Sequence, residues 1–125
     1  MSRAVAEFAD EWNLWNGAPS DLQEIKQQMN KTGRKIEISR AGPFFLAKTT
    51  SQLERKLKAK SSLLTAWDLP TSIDELRKRK VLCGTVDEFR SQLNELSKAG
   101  VDRFYFDLFD PKDKEMIDLL TRTLQ

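Results

Sequence analysis

The sequence predicts a parallel α/β fold, and three features of its last third carry the prediction. Thr85 and Glu88 stand three residues apart, the spacing of a capping box, at the head of an apolar stripe of Val86, Phe89, Leu93 and Leu96. Gly100 falls where a helix end favours positive φ. Phe104, Phe106 and Leu108 then alternate with Arg103, Tyr105 and Asp107, giving a strand with an apolar face and a polar one. Together these make one helix–strand unit. A chain of 125 residues has too few such units to close a barrel. In part of a β/α barrel the polar strand face would point inward or toward the catalytic rim. In an ordinary α/β sheet it would be half-exposed. Periodicity alone leaves both open.

The remaining elements follow in order. Arg3–Phe8 reads as the tail of a helix, and Ala9–Trp15 as a strand with Asp10, Trp12 and Leu14 on one face and Ala9, Glu11, Asn13 and Trp15 on the other. After the loop Gly17-Ala18-Pro19, Ser20 caps a helix with Gln23 at N3, a stripe of Leu22, Ile25 and Met29, and a stop at Gly33. Lys35–Ser39 alternates as a short extra strand that Ala41-Gly42-Pro43 breaks. Phe44-Phe45-Leu46 is apolar and of undecided type. Ser51 with Glu54 opens a further helix carrying Leu53, Leu57, Leu63, Leu64 and Trp67, which Pro70 ends. Thr71 or Ser72 caps a short helix over Ile73–Lys80, and Val81-Leu82-Cys83 leads into the unit described first. Asp110-Pro111 opens the last helix, with Met116, Ile117, Leu119, Leu120 and Leu124.

Composition excludes several functions. Charged residues make up 32% and hydrophobic ones 39%, as in one soluble domain with a modest core. A net charge of +2 implies neither a nucleic-acid nor a membrane partner. The basic runs fit a helix macrodipole (Arg77–Lys80 after Asp74 and Glu75) or a solvated helix face (Arg55–Lys60). No apolar run reaches the roughly 18–20 residues of a membrane span, and acid comes too early for a signal peptide, so a cytoplasmic location is expected. Histidine is absent, which removes Ser-His and Cys-His nucleophiles and His-based metal sites. Cys83 is the sole cysteine and reads as a small buried hydrophobe, so neither a disulfide nor a metal is expected.

Taken in order, Arg3-Ala4-Val5-Ala6-Glu7-Phe8-Ala9-Asp10-Glu11-Trp12-Asn13, Glu37-Ile38-Ser39, Gly84-Thr85-Val86-Asp87-Glu88-Phe89 and Ala99-Gly100-Val101-Asp102-Arg103-Phe104 resemble one family. They are similar to the C-terminal portion of luciferase-like monooxygenases, the flavin- or deazaflavin-dependent TIM barrels. In that family an Ala-Asp-Gly-Trp-Asn-like segment forms barrel strand seven, a Gly-Thr-Pro-Glu-Glu-like turn opens helix eight, and an Ala-Gly-Val-Asp-like turn leads into strand eight. The resemblance covers Arg3–Arg40 and Val81–Gln125, with 44–80 matching only a variable helical insertion. Glu11 stands where the family has a small residue, Val86 where it has proline, and strands one to six have no counterpart.

The resemblance implies a partial TIM barrel: about its last two β/α units plus the insertion, in a single domain over 1–125. It implies a fragment or remnant of a flavin-dependent oxidoreductase, inactive alone, with FMN or deazaflavin as the family's cofactor and none bound by the isolated chain. The alternative is a non-catalytic assembly module that self-associates or docks on a partner half-barrel. No catalytic residue is assigned. Trp12 and Asn13 are the implied cofactor-facing residues. Asp10, Trp12 and Leu14 would share the barrel interior with Arg103, Tyr105 and Asp107, and Asp10 and Arg103 would form a polar pair across neighbouring strands. Unpaired strand edges suggest a dimer, unless the helices between Ser51 and Lys80 fold back over the open face.

Overall fold

A computed structural model describes residues 10–125. The helix tail expected over Arg3–Phe8, and Ala9, lie outside the described residues. Ten elements follow: β1 (Glu11–Trp15), α1 (Pro19–Thr32), β2 (Glu37–Ala47), α2 (Thr50–Ala59), α3 (Ser61–Ala66), α4 (Ile73–Lys78), β3 (Leu82–Thr85), α5 (Val86–Ala99), β4 (Arg103–Asp107) and α6 (Lys114–Thr123).

The segment expected to be a short extra strand is the longest strand and the centre of the sheet. β2 pairs in parallel with β1 from Glu11↔Glu37 to Trp15↔Ala41, and with β4 from Ser39↔Arg103 to Pro43↔Asp107. Its last residues, Phe44–Ala47, pair in parallel with Leu82–Thr85 of β3. The Ala41-Gly42-Pro43 run, expected to break the strand, lies where β2 changes partners. Pairing to β1 ends at Ala41, pairing to β4 ends at Pro43, and pairing to β3 begins at Phe44. A proline lacks a ladder donor, and here it falls at the end of a ladder. Phe44–Ala47 is therefore strand rather than part of a helical insertion, and Leu82–Thr85 is a strand rather than a lead-in.

Three strands lie side by side in the order β1-β2-β4, and a helix follows each before the next begins. The fold is thus an open parallel sheet of β/α units. β1 and β4, expected as neighbours, are separated by β2.

Alternate residues of the sheet feed two cores. Ile38, Phe44 and Leu46 of β2 meet Leu22 and Ile25 of α1, Phe89, Leu93 and Leu96 of α5, and Met116 and Leu119 of α6. Trp12, Leu14, Phe104 and Phe106 pack against this core while half-buried. Phe44 anchors it, fully buried, with edge-on contacts to Phe89 and Phe106 at 6.0 and 5.6 Å between ring centroids. The opposite face of β2 carries Phe45 and Ala47. These join Cys83, Leu53, Leu57, Leu64, Leu76 and Phe109 in a second core under α2, α3 and α4. Leu108, expected in the last strand's apolar face, lies beyond β4 and is 46% exposed; Phe109 takes a buried place instead.

Several caps match the sequence and others move. Thr85 and Glu88 form the expected reciprocal pair: the Thr85 N–H donates to Glu88 Oε1 at 2.9 Å, and the Glu88 N–H to Thr85 Oγ1 at 3.4 Å. Ser72 accepts from the Glu75 N–H. α1 starts earlier than expected, with Pro19 in its first turn and Asp21, not Gln23, accepting the Ala18 N–H at 2.8 Å. α2 is capped by Thr49 rather than Ser51. α6 is capped by Asp113, three residues after Asp110.

Asp113 is also the hub of a half-buried ion cluster. Its carboxylate receives Lys56 Nζ at 3.0 Å and Lys60 Nζ at 2.7 Å, and Lys60 also reaches Asp110 at 3.1 Å. The cluster joins α2 to the start of α6. Burial pushes the Asp113 carboxyl up, but the hydrogen bonds from Lys60, the Met116 N–H and Lys56 outweigh it and hold the group at about 2.

Two outcomes follow. Phe44→Ala is expected to cost about 3–5 kcal/mol in urea denaturation, as for a fully buried aromatic; Phe104→Ala, at a half-buried position, is expected to cost less. The Asp113 carboxyl is lowered from 3.8 to about 2 in the folded state. Its stabilising contribution is therefore complete above the unfolded value and lost as pH falls from 3.8 toward 2. Unfolding midpoints measured down that window should fall more steeply for the native chain than for Asp113→Asn.

Candidate functional site

In β/α barrels the reactive site lies at the C-terminal ends of the strands, because loops from successive strands converge there. Here the C-terminal ends of β1 and β4 meet Pro43 of β2 around one cavity of about 190 Å³. Trp15 and Asn16 reach it from the end of β1, Pro43 from β2, Asp107 from β4, and Leu108 and Phe109 from the segment after β4. Trp67 and Leu69, just past α3, close it from the other side.

The backbone at the end of β1 is held tightly. Asn16 adopts φ 49° and its N–H donates to the Ala41 carbonyl at 3.0 Å. Asparagine tolerates this left-handed conformation better than most residues. Its Oδ1 rests on Gly42, where any Cβ would collide with it, so glycine is required there. Oδ1 is buried and accepts no hydrogen bond.

Arg40 braces the same loop from below. Its guanidinium is 2% exposed and donates from Nε to the Gly17 carbonyl at 3.0 Å and from Nη2 to the Lys80 carbonyl at 2.6 Å. Burial lowers its pKa to about 10. The two carbonyls tie the loop after β1 to the approach to β3.

The aromatic wall is wet. Trp15 is 61% exposed and Trp67 65%. Trp67 stands edge-on to Phe109 with centroids 6.0 Å apart, and Phe109 in turn lies 5.2 Å from Phe45 of the second core. Asp107 is exposed and takes part in no ion pair among the described residues.

The residues singled out in the sequence are distributed differently. Pairing through β2 puts Trp12 in register with Ile38, on the face that packs against helices, and Asn13 in register with Ser39 on the opposite face. Ser39 is in turn in register with Arg103. The face shared with Arg103, Tyr105 and Asp107 is therefore that of Glu11, Asn13 and Trp15, not that of Asp10, Trp12 and Leu14. Asn13 Nδ2 donates to Ser39 Oγ at 3.0 Å. The carboxylates that meet Arg103 are Glu11 at 3.3 Å and Glu37 at 2.9 Å, and its Nη1 also donates to Tyr105 Oη at 3.2 Å. Asp10 instead lies 3.7 Å from Arg34.

This Arg103 cluster marks the N-terminal ends of the strands, away from the cavity. Trp15, Asn16 and Trp67 had no special place in the sequence reading. The signal available was the position of Trp15-Asn16-Gly17 at a strand end, where side chains project into the loop region.

A flavin-type cofactor does not fit this cavity as it stands. The cavity is smaller than the roughly 300–1,000 Å³ of cofactor pockets. The glycines lie singly along the chain, with no glycine-rich phosphate cradle among them. Among the described residues no cluster of side chains could hold a metal ion, and no helix is long and apolar enough to cross a membrane.

No protein-family model matches the sequence, and neither does any curated protein. Solved structures do match. An F420-dependent secondary alcohol dehydrogenase in complex with an F420–acetone adduct superposes with a TM-score of 0.64 at 13% identity, over 94% of this chain and 43% of that one. The coenzyme F420-dependent tetrahydromethanopterin reductase from Methanopyrus kandleri gives a TM-score of 0.60 at 16% identity, over 95% of this chain and 45% of that one. The chain spans less than half the length of either structure. At these identities the likeness is one of fold. The chain has the fold of part of each of these two structures, an open parallel sheet of β/α units, as expected of a partial barrel.

Proposed function

We propose that this chain is a portion of a luciferase-like oxidoreductase that uses a flavin or deazaflavin, and that it does not turn over by itself. The observation that carries this reading is the meeting of the C-terminal ends of β1 and β4 at one aromatic-walled cavity, in a fold shared with two F420-dependent enzymes. The cavity is too small for the cofactor, so the remaining β/α units would have to complete the site. Within such a site, Trp15 and Trp67 are the flat surfaces available to a planar ring, and the Asp107 carboxylate is an acceptor. When bound, the cofactor would supply the hydride chemistry; these side chains would position it. Trp12 and Asn13 sit elsewhere in the sheet, so they belong to this reading only as supports.

Calorimetric titration of the chain alone with FMN and with F420 tests the proposal. No complex of micromolar or tighter affinity is expected. A tight complex would mean that the chain carries a complete cofactor site, and the reading as a portion would fall.

A second reading is favoured by a separate observation. The helices α2–α4 cover the sheet only over Phe45, Ala47 and Cys83. Along β1 and β4, Glu11, Asn13, Trp15, Arg103, Tyr105 and Asp107 remain exposed on one face. Parallel sheets are normally covered on both faces. As an assembly module, the chain would cover this face and the free edges of β1 and β4 by pairing with a second copy or with a partner half-barrel. Light scattering at micromolar concentration is expected to give twice the mass of one chain. A single-chain mass that does not change with concentration would reject self-association.

A further inference from the structure

The cavity at the strand ends has a chemical character of its own. Its walls are the indoles of Trp15 and Trp67 and the ring of Phe109. Its one charged side chain is the Asp107 carboxylate, and Asn16 also lines it. No lysine or arginine lines it. Asp107 has no cationic partner among the described residues. Aromatic faces present negative potential, and tryptophan presents the most. The carboxylate and the aromatic faces therefore favour positive charge, while the indoles disfavour a strongly hydrated ion. A volume of about 190 Å³ suits a group the size of a tetraalkylammonium head.

We propose that this cavity binds an alkylated ammonium group, seated between Trp15, Trp67 and Phe109 with its charge balanced by Asp107. The group could be presented by a small free amine or by a methylated lysine side chain; the recognition chemistry is the same. This inference does not depend on the oxidoreductase reading, since it needs neither a cofactor nor further β/α units. α3 and the segment after it supply Trp67, so the helices between β2 and β3 build one wall of the site.

Choline is the first probe, followed by tryptophan fluorescence and by the indole N–H resonances of Trp12, Trp15 and Trp67. The indole signals of Trp15 and Trp67 are expected to shift while that of Trp12 stays. The neutral isostere 3,3-dimethylbutan-1-ol is expected to bind at least roughly fivefold more weakly. Trp67→Leu and Asp107→Asn are expected to weaken choline by a similar factor. Both positions are exposed, so the variants should keep the native circular dichroism and melting temperature. A peptide bearing trimethyl-lysine is titrated in parallel: tighter binding than choline identifies a protein side chain as the source, and weaker binding a free amine. Equal binding of the neutral isostere would overturn the proposal. So would unchanged affinity in both folded variants, or an absence of shifts at Trp15 and Trp67 at saturating choline.

Discussion

Every other strand of the sheet depends on the backbone of β2. β1 and β4 hydrogen-bond to its two sides over Glu37–Pro43, and β3 takes over at Phe44–Ala47. β1 and β4 share no backbone ladder with each other. One strand of eleven residues thus sets the register of all the rest. Because side chains alternate, a slip of one residue along β2 would exchange its two faces. Ile38, Phe44 and Leu46 would leave one core, and Phe45 and Ala47 the other. The burial of both sets, on opposite faces, is what fixes the register.

The two cores also explain where the candidate site lies. Helices α1, α5 and α6 cover one face along its length, whereas α2, α3 and α4 cover the other only at the C-terminal end of β2. The cavity forms at the boundary of this second cover, where Phe109 and Trp67 meet the ends of β1 and β4. A half-covered sheet leaves side chains exposed that a complete barrel would enclose. It also leaves indoles in water, which a ligand or a partner can cover at a gain in apolar burial.

Arg40 has the opposite character. It is a charged group placed inside the first face of the sheet, with no ion pair among the described residues. Its positive charge is met by two backbone carbonyls, from Gly17 and Lys80, that no strand ladder uses. Such a group costs desolvation and returns position. The loop that presents Asn16 to the cavity is held by it and by the Asn16–Ala41 backbone bond. The precision of the site therefore comes from β2 as well, through a side chain on one face and a carbonyl at the strand's turning point.

The sequence by itself determined the local elements and the kind of fold. The Thr85–Glu88 cap, the helix over Val86–Ala99, the Gly100 stop and the strand after it were all legible, because capping and periodicity are properties of neighbouring residues. Only the tertiary structure decided which strand is central, since Gly42 and Pro43 read as breakers until a partner change at that point gives them a place. It also decided which face of β1 joins which face of β4. Alternation within a strand defines two faces but does not say which one meets a given neighbour; that relation passes through the register with β2. Trp12 was therefore placed on the wrong side, and Trp15 and Trp67, separated by 52 positions in the chain, could come together only once the helices between β2 and β3 folded over the end of the sheet.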